Sequence, residues 1–71
     1  MKDLTDKQRE VLAYIEQYRV EHKYSPVIRE IAEHFGVSIK GAYDHVTALR
    51  KKGAITMADH VSRSIVPVEG E

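Results

Sequence analysis

Lys40, Asp44, Thr47 and Lys51 recur at intervals of four, three and four residues. On a helix that spacing puts them on one face. An ammonium group there reaches guanine O6 and N7, a carboxylate accepts from cytosine N4, and a hydroxyl bonds a base or a phosphate. Asp44 has a second reading, as the i, i+4 partner that orients Lys40. Tyr43, at the border of the face, suits a thymine methyl or a phosphate oxygen, or else packing against the first helix. Ser38, just ahead, caps such a helix and lies within reach of a phosphate. Gly41 costs about 1 kcal/mol relative to alanine inside a helix. It reads as close approach to a duplex or to a neighbouring helix, or as a weak point tolerated near the helix start. Arg63 downstream is a candidate for an adjacent groove or the backbone. Arg29 upstream is a candidate for the backbone, with a solvated arginine as the alternative. Lys51 is a phosphate candidate, although cations at a helix C-terminus also answer the helix dipole.

Other chemistries find no support. His22, His34, His45 and His60 show no paired ligand spacing, and the chain has no cysteine. Neither a metal nor a cofactor is expected, and His45 reads as a partly buried packing residue. No nucleophile and base stand together, no glycine loop cradles a phosphate, and no small-molecule ligand is implied.

Charge distribution supports the nucleic-acid reading where total charge does not. Eleven basic and eleven acidic side chains cancel over the 71 residues. Residues 38–63 nevertheless carry Lys40, Arg50, Lys51, Lys52 and Arg63 against Asp44 and Asp59, a net +3. One basic segment in a neutral chain is what a single phosphate-facing surface requires. The length allows one domain, expected over residues 1–68, with 69–71 as the start of a linker or tail. No apolar run approaches the roughly 18 residues of a membrane span, and the absence of cysteine suits a reducing cytoplasm.

The elements that must position these residues follow from caps and periodicity. Thr5 and Gln8 form a capping box, and Val11, Leu12 and Ile15 make one apolar stripe of a helix ending near His22. Lys23, Tyr24, Ser25 and Pro26 break it. A short second helix, residues 27–35, buries Ile28, Ile31, Ala32 and Phe35 and stops at Gly36. Ser38 caps a third helix, residues 39–52, whose narrow core face is Ala42, Val46 and Leu49, and Gly53 ends it. A short helix, a glycine turn and a longer helix make a helix-turn-helix. Residues 54–57 and 64–68 have strand character around a loop, with Pro67 confining the second strand to an edge or an end. The expected fold is mainly α with a small β-hairpin, a three-helix winged helix-turn-helix.

Three runs now carry a resemblance. Ile31-Ala32-Glu33-His34-Phe35-Gly36-Val37-Ser38 is followed by Ala42-Tyr43-Asp44-His45-Val46-Thr47-Ala48-Leu49 and by Lys51-Lys52-Gly53-Ala54-Ile55. With the opening residues 4–12, Pro26 ahead of Arg29-Glu30-Ile31, and Ser62-Arg63, this order and spacing resembles the amino-terminal domain of the LexA repressor family. The resemblance implies a repressor of DNA-damage (SOS) response genes that binds a palindromic operator in double-stranded DNA. It implies dimeric binding, expected of an isolated domain as a weak or DNA-dependent homodimer. In the family a second domain cleaves its own chain with a serine–lysine dyad. These 71 residues leave no room for it, so no enzyme is expected. Two departures stand out. Ser64 replaces the glycine often found after the wing arginine, and Lys40-Gly41-Ala42-Tyr43-Asp44 differs from well-known members, so their operator does not transfer. A protein-interaction module, or a stand-alone regulator without an SOS role, is the competing reading. An apolar outward face on the third helix would favour it, and Tyr43 is the one large apolar body expected there.

Overall fold

The computed structural model describes residues 3–58 and 61–68. Asp59 and His60 of the expected wing loop, and the expected tail 69–71, lie outside the described residues. Helix α1 spans Asp6–His22. Thr5 Oγ1 accepts from Gln8 N at 3.1 Å while Gln8 Oε1 accepts from Thr5 N at 3.0 Å, the reciprocal cap read from the sequence. Lys23 closes the helix in the left-handed region, its N–H donating to Arg19 O.

Helix α2 spans Ile28–Phe35 and helix α3 spans Ile39–Lys51. Val27, at the start of α2, has no side-chain acceptor, so the cap is one-sided. Glu30 Oε1 reaches back to accept from Val27 N at 2.9 Å. Gly36 ends α2 at φ +66°, where a side chain would be strained, and thereby turns the chain straight into α3. Ser38 Oγ accepts from Gly41 N at 2.9 Å. A Cβ on Gly41 would sit 3.2 Å from that same oxygen. The nearest neighbours of such a Cβ belong to Ser38 and Val37, not to α2, so the tight contact at Gly41 is with its own cap.

Strands β1 (Ile55–Thr56) and β2 (Val66–Pro67) pair antiparallel, with Ile55 opposite Pro67 and Thr56 opposite Val66. Val68 N donates to Ala54 O at 2.9 Å, which extends the hairpin base by one bond. The core is Val11 and Ile15 of α1, Ile31 and Ala32 of α2, Ala42, Val46 and Leu49 of α3, and Ala54, Ile55 and Ile65 of the hairpin. Leu12, Ile28 and Phe35 are only partly buried at its rim. All three helices and the wing therefore share one apolar centre, and the fold is a winged helix-turn-helix.

Two polar residues are buried with it. Gln8 holds both Thr5 N and Lys52 Nζ, the latter at 2.7 Å, and Lys52 also donates to Asp3 O at 3.0 Å. Ser25 Oγ donates to Ile65 O, which ties the α1–α2 link to the hairpin. No helix among the described residues is long and apolar enough to cross a membrane.

Candidate nucleic-acid interface

The first two turns of α3 stand clear of the helices behind them. Ser38, Ile39, Lys40, Tyr43 and Asp44 are all exposed, while Ala42 and Val46 between them are fully buried. A buried stripe in register with a solvated face holds the helix rigidly and leaves its polar side free. Lys40 Nζ lies 3.4 Å from Asp44 Oδ2, with side chains 85% and 61% exposed. At that exposure the pair adds little stability. Its geometric effect is to aim an ammonium and a carboxylate outward together.

Tyr43 is 49% exposed and borders an open cleft of about 900 Å³ between α2, α3 and the wing. Arg29, exposed on the first turn of α2, lines the same cleft, as do Val27, Val61 and Ser62. Lys51 is exposed in the last turn of α3. Ser38, Lys40, Tyr43 and Asp44 thus share the exposed start of α3, Arg29 lines the cleft with Tyr43, and Lys51 lies at the far end of the helix. Lys52 does not join them, because its ammonium is turned to Gln8 and Asp3.

Two residues have surroundings unlike those expected. Thr47, placed on the outward face by spacing, has its Oγ1 buried with no hydrogen-bond partner among the described residues. The oxygen expected to address a base or a phosphate is thus covered by the protein. Arg63, expected to extend from the wing, is folded back. Its Nη1 and Nη2 donate to Glu30 Oε1 and Oε2, each at 3.1 Å, and Nη1 also donates to Ser25 O at 3.0 Å. Tyr18 Oη lies 3.4 Å from Nη1, and the guanidinium carbon sits 4.6 Å from the Tyr24 ring centre. The backbone at Arg63 has φ +57°, a left-handed conformation that costs a non-glycine residue roughly 1–3 kcal/mol unless its surroundings impose it.

Electrostatics agree with that placement. The hydrogen-bonded Arg63 guanidinium holds the Glu30 carboxyl below its ordinary value against the opposing effect of burial, helped by the Val27 N–H. Arg63 is in turn held more firmly protonated, first by Glu30 and then by Tyr18. Burial raises the Tyr14 and Tyr18 phenols, with Arg63 pulling Tyr18 the other way. The wing turn has its own stitch. Ser64 Oγ lies 2.8 Å from Val61 O and accepts from Ala58 N at 3.1 Å, so this hydroxyl closes a loop in which the left-handed residue is the arginine before it.

Sequence reasoning missed Ile39 and Val61, each 58% exposed beside the polar residues. Periodicity hides Ile39, because it stands three residues before Ala42 and seven before Val46, on the core stripe. The cap at Ser38 was the available signal. It makes Ile39 the first helical residue, which extends past the body of the domain. The described histidines form no metal group. His34 stacks on Tyr14 at 4.1 Å, His22 lies against Tyr18 at 4.1 Å, and His45 is half-buried in α3.

Comparison with known proteins adds an independent line. The family described as LexA DNA binding domain matches residues 1–64. The chain is 52% identical over 65 residues to the LexA repressor of Leptospira interrogans serovar copenhageni, covering 92% of this chain and 32% of that protein. It is 49% identical over 70 residues to the LexA repressor of Leptospira biflexa serovar Patoc, covering 99% and 35%. Against the LexA repressor of Thermosipho melanesiensis the figures are 46% over 81 residues, covering 100% and 41%. The chain spans only 32–41% of the length of these relatives.

Proposed function

This chain belongs to the LexA DNA-binding domain family, and from that premise we propose that it reads an operator in double-stranded DNA. The exposed start of α3 enters the major groove, and the wing lies against the backbone or the adjacent groove. The observation that carries this reading is the capped, core-anchored α3 with the Lys40–Asp44 pair aimed outward from its first two turns. Lys40 and Asp44 address base edges, Tyr43 a thymine methyl or a phosphate, and Ser38, Arg29 and Lys51 the phosphates. Gly41 serves by keeping the cap compact rather than by touching bases. A single recognition helix covers few base pairs, so two copies on inverted half-sites, one helical turn or a multiple apart, would raise affinity through effective concentration. The proposal extends to transcriptional repression in the SOS response, residence in a bacterial cytoplasm and a weak or DNA-dependent dimer on a palindrome, supported by the family and by the relatives' name of LexA repressor. The matched family is a DNA-binding domain rather than a catalytic one, and no reaction is assigned to the chain.

Ile39 and Val61 give a protein partner more apolar contact than Tyr43 alone would, and they equally suit thymine methyl groups in a groove. Selection of bound duplexes from a random pool distinguishes the two. A recovered motif with two-fold symmetry is expected. Recovery of no motif, with no salt-dependent binding to any duplex, would defeat the DNA reading.

A further inference from the structure

The wing's one arginine is bonded back to the protein. Arg63 reaches Glu30 across 33 positions of sequence with a two-pronged contact, and its side chain is 37% exposed against 26% for Glu30. Charge-assisted forked pairs of this kind are geometrically restrictive, because a planar guanidinium meets a planar carboxylate in one orientation. The Ser25 carbonyl accepts from the same guanidinium, and the Tyr24 ring lies within stacking range of it. Glu30 is itself tied at its other end, since Oε1 accepts from Val27 N at the start of α2. One carboxylate thus joins the beginning of the helix-turn-helix to the wing.

We infer that Arg63 and Glu30 form a lock that sets the wing's position relative to α3, making both residues positioning residues for DNA recognition rather than contacts to DNA. The inference rests on the DNA-binding reading above for its consequence, but not for its geometry. Three observations separate a lock from a phosphate contact. The guanidinium engages both Glu30 oxygens, the Ser25 carbonyl and the face of Tyr24 at once, so its donors are already committed. The backbone at Arg63 holds a left-handed conformation, unusual for a residue with a side chain, while that side chain is bonded to α2 and the α1–α2 link. The carboxylate that holds it would repel a phosphate brought to the same place. The lock also accounts for the cleft, whose far wall is the wing and whose near wall is Arg29 and Tyr43. Its width is the distance between groove reader and wing, and the 30–63 pair determines it.

The test uses the whole chain with Glu30→Gln, Arg63→Gln, the double variant and Arg63→Lys, at a temperature where circular dichroism shows each one folded. Glutamine keeps an oxygen for Val27 N, so Glu30→Gln removes the charge and spares the cap. Affinity for a duplex recovered from the random pool is read by fluorescence anisotropy between about 50 and 200 mM salt. Glu30→Gln and Arg63→Gln are each expected to weaken specific binding roughly three- to tenfold, with the double variant no weaker than the worse single one. Arg63→Lys, which keeps the charge and loses the fork, should weaken binding too, and the salt slope should stay at the parent value in all four. Stronger binding by Glu30→Gln, a slope flattened by about one unit in Arg63→Gln, additive losses in the double variant, or full affinity in Arg63→Lys would each overturn the lock. Hydrogen exchange at Ala58 and Val68 in the free protein tests it without DNA. Faster exchange in both glutamine variants supports it and unchanged exchange refutes it, even if the parent binds no duplex at all.

Discussion

At the residue scale, Lys40 and Glu30 are charged residues in opposite surroundings, one solvated and one held by Arg63, and each leads to a different experiment. Lys40 is almost wholly solvated and pairs with Asp44. Lys40→Ala should cost about 1–3 kcal/mol at one base pair and relax preference there, whereas Lys51→Ala should weaken all sequences alike and reduce the salt slope by about one. Competition binding with point-substituted duplexes checks both. Glu30 has its carboxyl lowered from the ordinary value of 4.5, chiefly by Arg63. A carboxyl lowered by folding stabilises the native state above its unfolded value, and that contribution is lost as pH falls through the folded one. Urea unfolding at successive pH values should therefore show a loss below about pH 4.5 that is smaller in Glu30→Gln than in the parent.

At the element scale, the helix ends determine where the reader begins. Ser38 caps α3 through the Gly41 N–H, and that bond fixes the turn in which Ser38, Ile39 and Lys40 are exposed. Ser38→Ala should lower stability by about 1 kcal/mol, seen in the urea midpoint, and should lower affinity further by fraying the turn that carries Lys40. The wing shows the opposite dependence. Its strands are two residues each and make few ladder bonds, so their own pairing cannot hold them. Ser25 on Ile65 O, Ser64 across the loop and Arg63 on Glu30 hold the hairpin by side chains instead.

At the scale of the molecule, one small core carries every element. Leu49 is fully buried where α3 meets the rest of the core. In a domain this short, with stability near the low end of the roughly 5–15 kcal/mol of folded proteins, Leu49→Ala should remove about 2–5 kcal/mol. Circular dichroism should then show a large unfolded fraction at 37 °C, and DNA binding should fall in proportion to the folded population. The recognition surface is thus coupled to the core through the very helix that reads.

Much of this was legible in the residues alone, because the forces involved act over one turn of chain. The Thr5–Gln8 box, the Gly36 turn, the Ser38 cap and the apolar stripe of each helix depend on neighbours three or four positions away. So does the Lys40–Asp44 pair, which the structure returns as spaced. What the spacing could not decide is anything settled by contacts between distant segments. Arg63 and Glu30 are 33 residues apart, and Lys52 and Gln8 are 44 apart. Only folding shows that each arginine or lysine there is held by the protein. The Thr47 hydroxyl oxygen is buried by the surrounding packing, and Ile39 is at the surface because it stands at the first position of the helix. Periodicity names the face of a helix, but packing of the other elements decides how much of that face meets solvent.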